Sequence, residues 1–530
     1  MYKLYRTSAL MAILLLLGSC KKYLDINSNP VTPQVPMAES LLAPIIFQMT
    51  NGTSQDYRVL FKVTQNMVGI STNINSLSWE QHGFPPASDV GGVIWRMNYV
   101  DLGLNLENMI NDGIANQKFE YVGIGYAIKA WAYQMTTDLH GPIILDEAYN
   151  PELLSFPYQD QPDVYARVRE WGQLAIKYLD MKSPVDYTAK LASESGDNIY
   201  RGDKEKWKKF VYGLLALQYS HLVNKPEFKT AYADSVIKYT NLSFANTSED
   251  ATVFFAASNS EDSNPYGVQM GYLPGTVNYY ARPTTTIVEY LTGGVRGEAI
   301  PDSKTSVDPR LGRMLSARLS DTVYVGAIPT QGDESTGVPL VLGHLTSGTT
   351  GTYNGKYIFA DAARYPLMTY SQLQFTKSEA LFIQDKKAEA YLAYTQGIRE
   401  HMTFYNQYGR SGNAPDPVIT EAEISAYMTS SEVAQSPEEL TLADIMGQKY
   451  IAQWGWAGIE QWCDLRKYHY DPTVFRTYHQ LTEGELALGS YAYRFRPRYN
   501  SEYIWNATEL DKWGGLNPDY MTKETWFSLP

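Results

Sequence analysis

Cysteine is nearly absent from this chain of 530 residues, which contains only Cys20 and Cys463. A framework of several disulfides is therefore excluded, and stability has to come from the burial of apolar side chains. Long apolar runs are scarce as well. The clearest one, Ala9–Leu17, is well short of the about 20 residues that a membrane-spanning helix requires. We therefore expect no transmembrane span.

Basic residues are fewer than acidic ones. The chain has 44 lysines and arginines against 57 aspartates and glutamates, and its formal net charge is −13. A nucleic-acid-binding protein needs basic patches for the phosphate backbone, so this balance argues against nucleic acid as a partner. The same charge keeps an exported protein soluble. It also disfavours anionic glycans as ligands, although the local charge of a binding site can differ from that of the whole chain.

Recognisable catalytic motifs are missing from the chain. None of the seven histidines lies in an HExxH pattern, and there is no CxxC pair, no Gly-rich phosphate loop and no GxSxG elbow. We therefore predict no cofactor. A metal site built from loop carbonyls and aspartates would leave no motif, so the sequence does not decide whether a metal is bound. Asp138, Asp146 and Glu147 flank a His-Gly-Pro turn at 140–142, where we expect them to cap or brace the chain rather than to catalyse.

The first residues have the layout of an export signal. Lys3 and Arg6 give a positive start, and the apolar run is followed by small residues just before Cys20. The stretch LGSC at 17–20 resembles a bacterial lipobox, which predicts a signal peptide at 1–19 and acylation of Cys20. Each buried acyl methylene contributes about 0.8 kcal/mol, so several chains hold a protein firmly on a bilayer. The alternative is an ordinary signal peptide with a chance cysteine.

Helical patterns follow a Pro-containing stretch at 20–36, which predicts an extended lipidated tether. Apolar residues recur every three or four positions in four stretches, which predicts helices at 119–138, 204–223, 378–408 and 438–462. Weaker patterns predict further helices at 37–49, 56–69, 92–113, 162–181 and 227–240. The helix pairs resemble tetratricopeptide units without the clean consensus of that repeat. The expected helical scaffold covers about 37–245 and 376–466.

The middle of the chain, from about residue 246 to 375, is rich in Gly, Ser, Thr, Asn and Pro, as in HLTSGTTGTYNGKY. This composition predicts long loops with short strands, and such loops are usually functional or disordered. Their tyrosines argue against disorder. The whole chain has 42 tyrosines and 11 tryptophans, whose flat apolar faces and polar edges suit wet binding surfaces. Most of these rings are nevertheless expected to be buried or half-buried.

Seven stretches, in order, resemble one protein family. They are CKKYLDINSNPVTP at 20–33, KAWAYQMTTDLHGPIILDEAY at 129–149, WKKFVYGLLALQYSHL at 207–222, DPRLGRML at 308–315, KAEAYLAYTQGIREHMTFYN at 387–406, DIMGQKYIAQWGWAGIEQWCDLRKY at 444–468 and RFRPRYNSEYIWN at 494–506. Their order and spacing are similar to those of the SusD/RagB family of outer-membrane nutrient-binding lipoproteins of Bacteroidetes. Many members have Tyr or Phe before the Gly-Pro turn, where this chain has His140.

The resemblance implies a mainly α protein with the SusD-like fold. A single domain at 37–530 would combine four tetratricopeptide-like helix pairs with a loop-rich insertion at about 246–375 that carries short strands. The implied function is non-enzymatic: capture of oligosaccharides, or in some members peptides, and delivery to a SusC-type TonB-dependent barrel. Cys20 would hold the protein at the outer membrane, facing outside. Many exported lipoproteins of this phylum carry acidic residues after the cysteine, whereas Lys21 and Lys22 follow it here.

The ligand platform of the family usually comes from the loop after the second helix and from the middle insertion. By this resemblance the candidate ligand-binding residues are Trp79, His82, Phe84, Tyr266, Tyr272, Tyr279, Tyr280 and Arg282, with Tyr353 and Tyr357 as weaker candidates. Aromatic rings stack on the apolar faces of sugars, and polar residues in the same loops can bind the hydroxyls. The tryptophans expected in the helical core are Trp207, Trp454, Trp456 and Trp462, whereas the pattern assigns no role to Trp505, Trp513 and Trp526.

Two further functions remain open from the residues alone. An exported helical glycosidase would turn over a glycan with two carboxylates in one cleft. A scaffold that binds only protein partners would have no small-ligand cleft and would bury its aromatic surface against a partner. A receptor would hold its ligand intact and lose affinity on Trp79→Ala. Its ligand could be a sugar or a peptide, since aromatic loops bind both.

Overall fold

The structure, a computed structural model, describes residues 36–69, 74–84, 87–193, 195–270, 281–301, 303–331, 337–347, 350–410, 412 and 416–530. Helices dominate its regular structure. The α-helices are α1 Ala38–Val63, α2 Ile74–Glu80, α3 Val93–Arg96, α4 Gly103–Ala115, α5 Phe119–His140, α6 Gln161–Asp180, α7 Thr188–Leu191, α8 Lys204–Ser220, α9 Ala233–Leu242, α10 Thr285–Glu289, α11 Leu311–Met314, α12 Tyr370–Ile383, α13 Lys387–Tyr408, α14 Glu421–Met428, α15 Leu442–Gln453, α16 Gly458–Lys467 and α17 Ala507–Asp511.

The strands are short and pair two by two. They are β1 Met67–Val68, β2 Ile143–Ile144, β3 Tyr158–Gln159, β4 Ala251–Val253, β5 Arg282–Pro283, β6 Leu345–Ser347, β7 Thr350–Tyr353 and β8 Tyr365–Met368. The pairs β1–β5, β2–β3, β4–β8 and β6–β7 are all antiparallel. This mainly helical architecture with a few short strands confirms the predicted fold class.

Antiparallel helix pairs form the scaffold, with α5 packed on α6, α8 on α9 and α12 on α13. The end of α5 shows how the sequence sets one of these turns. Gly141 has a φ of 80°, a left-handed conformation that glycine adopts without steric cost. Its N–H donates to the carbonyl of Thr137 at 2.7 Å, and Pro142 follows because proline cannot continue the helix.

The predicted helix boundaries were wrong in three places. The structure has one continuous helix, α1, where two helices at 37–49 and 56–69 were predicted. In its polar middle, Gly52 allows close packing against Met97, since an added Cβ would come within 2.6 Å of the methionine side chain. Conversely, the predicted helices at 378–408 and 438–462 are each divided.

Both divisions lie at residues with positive φ. Asp385 has a φ of 62° between α12 and α13, and Gly455 has a φ of 82° between α15 and α16. The apolar periodicity continues across each turn, because both helices of the pair bury side chains in the same core. A turn of a few residues therefore leaves little trace in the hydrophobic pattern.

One hydrophobic core joins the scaffold to the insertion. Side chains of the insertion such as Val253 and Tyr266 belong to the same buried cluster as the helical residues around Leu214. The four tryptophans predicted in the helical core are fully or almost fully buried, and they are Trp207, Trp454, Trp456 and Trp462. The predicted domain limits, 37–530, stay a prediction. Within the described ranges, no helix has the length and apolarity to cross a membrane.

A buried polar cluster ties the Gly-Pro turn to the rest of the scaffold. Asp138, at the end of α5, accepts hydrogen bonds from the Tyr165 hydroxyl at 2.6 Å and from the Gln134 side chain at 2.7 Å. His221, just after α8, lies 3.6 Å from the Asp138 carboxylate and 3.1 Å from that of Glu460 on α16. Asp138 therefore braces this region, as expected, and it has no exposed surface.

The charge of His221 makes the stability of this cluster depend on pH. Burial alone would lower the pKa of His221, but the carboxylates of Glu460 and Asp138 outweigh it and raise the pKa to about 9. The stabilisation is fully present below about pH 6.5, the pKa of a histidine in the unfolded chain. It is lost as the pH rises through about 9, the pKa of His221 in the folded protein. The substitution His221→Gln should therefore lower the free energy of unfolding more at pH ~6 than at pH ~10. The loss at pH ~6 should be larger by about 3 kcal/mol.

This prediction is checked by urea unfolding at the two pH values. His469→Gln is the matched control, because His469 also faces a carboxylate, that of Glu524 at 3.1 Å, but its side chain is 45% exposed. If the difference in free energy of unfolding between the wild type and His221→Gln is the same at both pH values, His221 is not charged in the folded protein.

Candidate functional site

The loop after α2, which was predicted to contact ligand, is mostly packed into the protein. Trp79 is 4% exposed and His82 is 1% exposed. The Nδ1 atom of His82 accepts from the Ala492 N–H at 3.2 Å, and burial lowers the pKa of His82 to about 3. Phe84 is half-buried, with its ring centroid 4.5 Å from that of Phe495. Neither Trp79 nor His82 offers a free face to a ligand in this conformation.

Tyr266 and Tyr357 in the insertion are also core residues. Tyr266 has no exposed surface, and its hydroxyl lies 3.1 Å from that of Tyr365. Tyr357 is 2% exposed and its hydroxyl lies 3.1 Å from Nε2 of His401. The polar hydroxyls and the loop-like sequence context of these tyrosines predicted exposure. Both hydroxyls form hydrogen bonds inside the protein, so their burial costs little free energy. Four other predicted positions lie outside the described residues: Cys20, Tyr272, Tyr279 and Tyr280.

Tyr353 and Arg282 are the candidates that the structure brings together. Arg282, on β5, is half-buried and donates from Nε to the Val338 carbonyl at 3.1 Å. Tyr353, at the end of β7, is half-buried as well. Burial raises the pKa of Tyr353, and the neighbouring Arg282 guanidinium opposes that rise. The two side chains are therefore close enough to influence each other.

Tyr353 lines an open cleft of about 230 Å³ in the insertion. Polar side chains share the cleft with it, namely Asn354, Gln269 and Asp361. Asp361 accepts from the Gln269 N–H at 2.9 Å, so the carboxylate is held in place. The cleft thus offers an aromatic face, two amides and a carboxylate, the set of groups that binds sugar rings and their hydroxyls.

Sequence reasoning missed the polar residues of this cleft. Asn354 follows the predicted Tyr353 directly, and its loop was recognised from composition, so the signal for Asn354 was present. Gln269 and Asp361 are distant in sequence and meet only through the fold. We call this set of four residues, Gln269, Tyr353, Asn354 and Asp361, the insertion cleft.

A second, more apolar pocket of about 180 Å³ lies elsewhere. It is lined mainly by aromatic and aliphatic side chains, and Trp505 at its edge is 79% exposed. Its polar residues are already engaged: Glu502 accepts from the Tyr158 hydroxyl at 2.6 Å, and Asn506 accepts from the Phe156 N–H at 2.8 Å. This pocket therefore offers fewer unengaged hydrogen-bonding groups to a ligand than the cleft in the insertion does.

Carboxylates that could serve a glycosidase are not paired in the described part of the insertion cleft, where Asp361 is the one acidic lining residue. The three carboxylates around the Gly-Pro turn do not converge on a cleft either. Asp146 pairs with Arg167 at 2.8 Å, and Glu147 accepts from Asn150 at 2.8 Å. These contacts agree with the expected bracing role.

Asp138, His221 and Cys463 are buried with one potential metal-ligand atom each, all within 4.8 Å of one another. Their atoms have protein partners, since the Arg466 guanidinium lies 3.2 Å from the Cys463 sulfur and the Glu460 carboxylate faces His221. Burial raises the pKa of the Cys463 thiol well above its usual value, which opposes formation of the thiolate that binds metals. We therefore assign a structural role to these three residues.

Comparison with known proteins agrees with this architecture. A family model described as "Starch-binding associating with outer membrane", SusD-like_2, matches residues 29–487. No curated protein matches the sequence of this chain.

Solved structures with the same fold are distant in sequence. A SusD/RagB family protein from Bacteroides thetaiotaomicron is 20% identical with a TM-score of 0.67, over 93% of this chain and 99% of that one. A Bacteroidetes SusD-like protein, AC2a, is 16% identical with a TM-score of 0.71, over 93% and 100%. A chitin-binding protein is 17% identical with a TM-score of 0.69, also over 93% and 100%. Because the family model covers well over half of the chain, this protein belongs to the SusD-like family of nutrient-binding proteins associated with the outer membrane.

Proposed function

We propose that this protein is a surface lipoprotein, anchored through Cys20, that binds nutrient oligosaccharides and delivers them to a SusC-type TonB-dependent barrel. The observation that carries the proposal is the insertion cleft, an open site with an aromatic wall and several hydrogen-bonding side chains, in a family described as starch-binding. The protein holds its ligand without changing it covalently. Among the described residues the cleft is lined by one carboxylate, which supports this, since glycosidases use two.

Each group of the cleft has a distinct part in sugar binding. The half-buried Tyr353 ring presents a face against which the axial C–H bonds of a sugar ring pack. The side-chain amides of Gln269 and Asn354 donate and accept hydrogen bonds with hydroxyls, and the Asp361 carboxylate accepts from them. Because Asp361 is held by the Gln269 N–H at 2.9 Å, its oxygens need little ordering when a ligand arrives.

Calorimetry of residues 21–530 tests the proposal against a panel of neutral and acidic oligosaccharides and mixed oligopeptides, with the ligand mass measured afterwards. Heat of binding with intact sugar supports it. Binding of peptides alone assigns the same role to a different nutrient. Cleaved ligand contradicts the receptor, and absence of binding to every ligand contradicts a self-contained glycan site.

Replacement of Tyr353 by alanine should weaken oligosaccharide binding about 10-fold or more, equivalent to a loss of at least about 1.4 kcal/mol. The reason is the loss of the stacking face. Tyr212→Ala is the matched control, because Tyr212 on α8 is also half-buried and stacks on Tyr239 at 6.1 Å, but it is not part of the cleft. Titration of both variants with the same glycan measures the effect, and equal affinities would place the site elsewhere.

A further inference from the structure

Arg364, just before β8, is a cation without an acidic partner. Its guanidinium lies 5.4 Å from the ring centroid of Phe254 and 5.8 Å from that of Tyr408. It donates one long hydrogen bond, to the Thr252 hydroxyl at 3.4 Å. In the part of the chain that the structure describes, no carboxylate lies within ion-pair distance of this guanidinium. This differs from Arg310, whose guanidinium is fully buried against a carboxylate.

The surroundings make an unpaired cation at this position costly. Burial lowers the pKa of Arg364, Tyr408 opposes this effect, and the neighbouring Arg201 lowers the pKa by repulsion. Arg201 is exposed and donates to the Ala192 carbonyl at 2.8 Å, and none of the described carboxylates forms an ion pair with it. A half-buried guanidinium beside a second positive charge loses hydration without gaining a counter-charge. An anion that binds at this position would supply the missing counter-charge and compensate for the lost hydration.

The acidic residues nearby are engaged in other contacts. Glu249 pairs with Lys209 at 2.6 Å, and Glu400 accepts from the Gln396 side chain at 2.9 Å. Asp250 accepts from the Tyr370 N–H at 2.7 Å. Burial raises the pKa of Asp250 well above its usual value, so its negative charge is disfavoured. The counter-charge for Arg364 is therefore not supplied by these side chains.

Arg364 is close in the chain to the insertion cleft. Asp361, which lines the cleft, precedes Arg364 by three residues, a separation of at most about 11 Å along an extended chain. Phe254 is likewise three residues from Ala257, which lines the cleft. The side chain of Phe254 is 41% exposed, which leaves part of its ring open to a ligand.

We propose that Arg364 and Phe254 form an anionic-sugar subsite at one end of the insertion cleft, so that the ligand is an oligosaccharide carrying an oxyanion. This inference rests on the proposed glycan-binding function and names the class of glycan. The planar guanidinium binds a carboxylate or a sulfate through two parallel hydrogen bonds. The exposed face of Phe254 packs against the ring that carries the anion. The Arg364 guanidinium provides a positive charge for the anion in a chain whose net charge of −13 by itself disfavours such ligands.

The experiment compares matched pairs of ligands on residues 21–530 by calorimetry. One arm uses uronate oligosaccharides, such as oligogalacturonate, with their carboxyl-reduced neutral forms. The other arm uses sulfated galactan oligosaccharides with their desulfated forms. The acidic member of at least one pair should bind about 10-fold or more tightly than its neutral partner, and the two arms identify carboxylate or sulfate as the anion.

Variants then assign the preference to Arg364. Arg364→Gln should remove it, and Arg364→Lys should retain only part, because lysine keeps the charge without the planar pair of donors. Arg399→Gln is the control, since Arg399 is an exposed arginine whose carboxylate partner, Glu421, lies 3.2 Å away. A thermal melt of each variant confirms that it is folded before titration.

Two results would overturn the subsite. One is wild-type protein that binds the neutral members as tightly as the acidic ones, a result that leaves the proposed glycan receptor intact. The other is an acidic preference that survives in Arg364→Gln. Absence of binding to every sugar, acidic or neutral, would contradict the glycan receptor itself along with the subsite. The preference is measured on the wild type first, so the proposal can fail even if a variant does not fold.

Discussion

Replacement of Asp464 by asparagine is expected to lower the free energy of unfolding by about 3–5 kcal/mol. Asp464 on α16 belongs to a group of four buried charges with Glu379, Lys449 and Lys467. Its carboxylate lies 2.8 Å from the Lys449 ammonium and 2.9 Å from that of Lys467. The substitution would leave two buried ammonium groups with one carboxylate, that of Glu379, and such an uncompensated charge is strongly destabilising.

The electrostatics of this group show that Asp464 is charged in the folded protein. Burial alone would raise the pKa of Asp464, but Lys449 and Lys467 outweigh it, so the pKa lies below its usual value. Burial would lower the pKa of Lys467, and the carboxylates of Asp464 and Glu379 raise it instead. Asp464 and Lys467 are therefore held in the ionised state, and the group of four side chains joins α12, α15 and α16.

Urea unfolding followed by tryptophan fluorescence and by circular dichroism measures the change, and coincident curves show that the transition is two-state. Asp519→Asn is the matched control. Asp519 pairs with Lys523 at 2.7 Å, a comparable distance, but both side chains are more than half exposed. Exposed ion pairs contribute about 0–1 kcal/mol. Similar losses in the two variants would contradict the importance of burial for the Asp464 group.

Asp308→Ala is the second substitution with a large expected effect, again about 3–5 kcal/mol of unfolding free energy. The Asp308 carboxylate accepts hydrogen bonds from the Arg310 guanidinium, including one from Nε at 2.9 Å and one from Nη2 at 2.7 Å. Both side chains are fully buried. The guanidinium also lies 3.1 Å from Nδ1 of His401 and donates to the Gln448 side chain at 2.8 Å. Alanine would leave this guanidinium buried without a counter-charge.

Arg310 connects the insertion to the scaffold, because it contacts α13 through His401 and α15 through Gln448. Loss of Asp308 should therefore loosen the insertion as well as lower global stability, which hydrogen exchange of the segment around residues 308–315 can detect. Asp321→Ala is the control, because Asp321 pairs with Arg318 at 2.7 Å while partly exposed. An effect of Asp308→Ala no larger than that of the control would show that the buried pair is dispensable.

The binding site was predicted less well than the fold, and particular residues show why. Trp79, His82 and Tyr266 have the residue types and the loop-like contexts of ligand contacts, yet the protein itself supplies their partners. Tyr353 has the same sequence character and lines an open cleft. Whether a loop aromatic faces solvent or core depends on what packs over it, and contacts between distant segments decide that.

The sequence by itself determined the helical scaffold, the loop-rich insertion, the buried helical tryptophans and the family resemblance. These depend on periodicity, composition and ordered motifs, which are local properties of the chain. Only the tertiary structure decided which polar groups meet. Asp361 meets Gln269 across 92 positions, and Arg364 meets Thr252 across 112 positions where β4 and β8 pair. Charges and hydrogen bonds act over a few ångströms, so their partners follow from the fold and not from spacing along the chain.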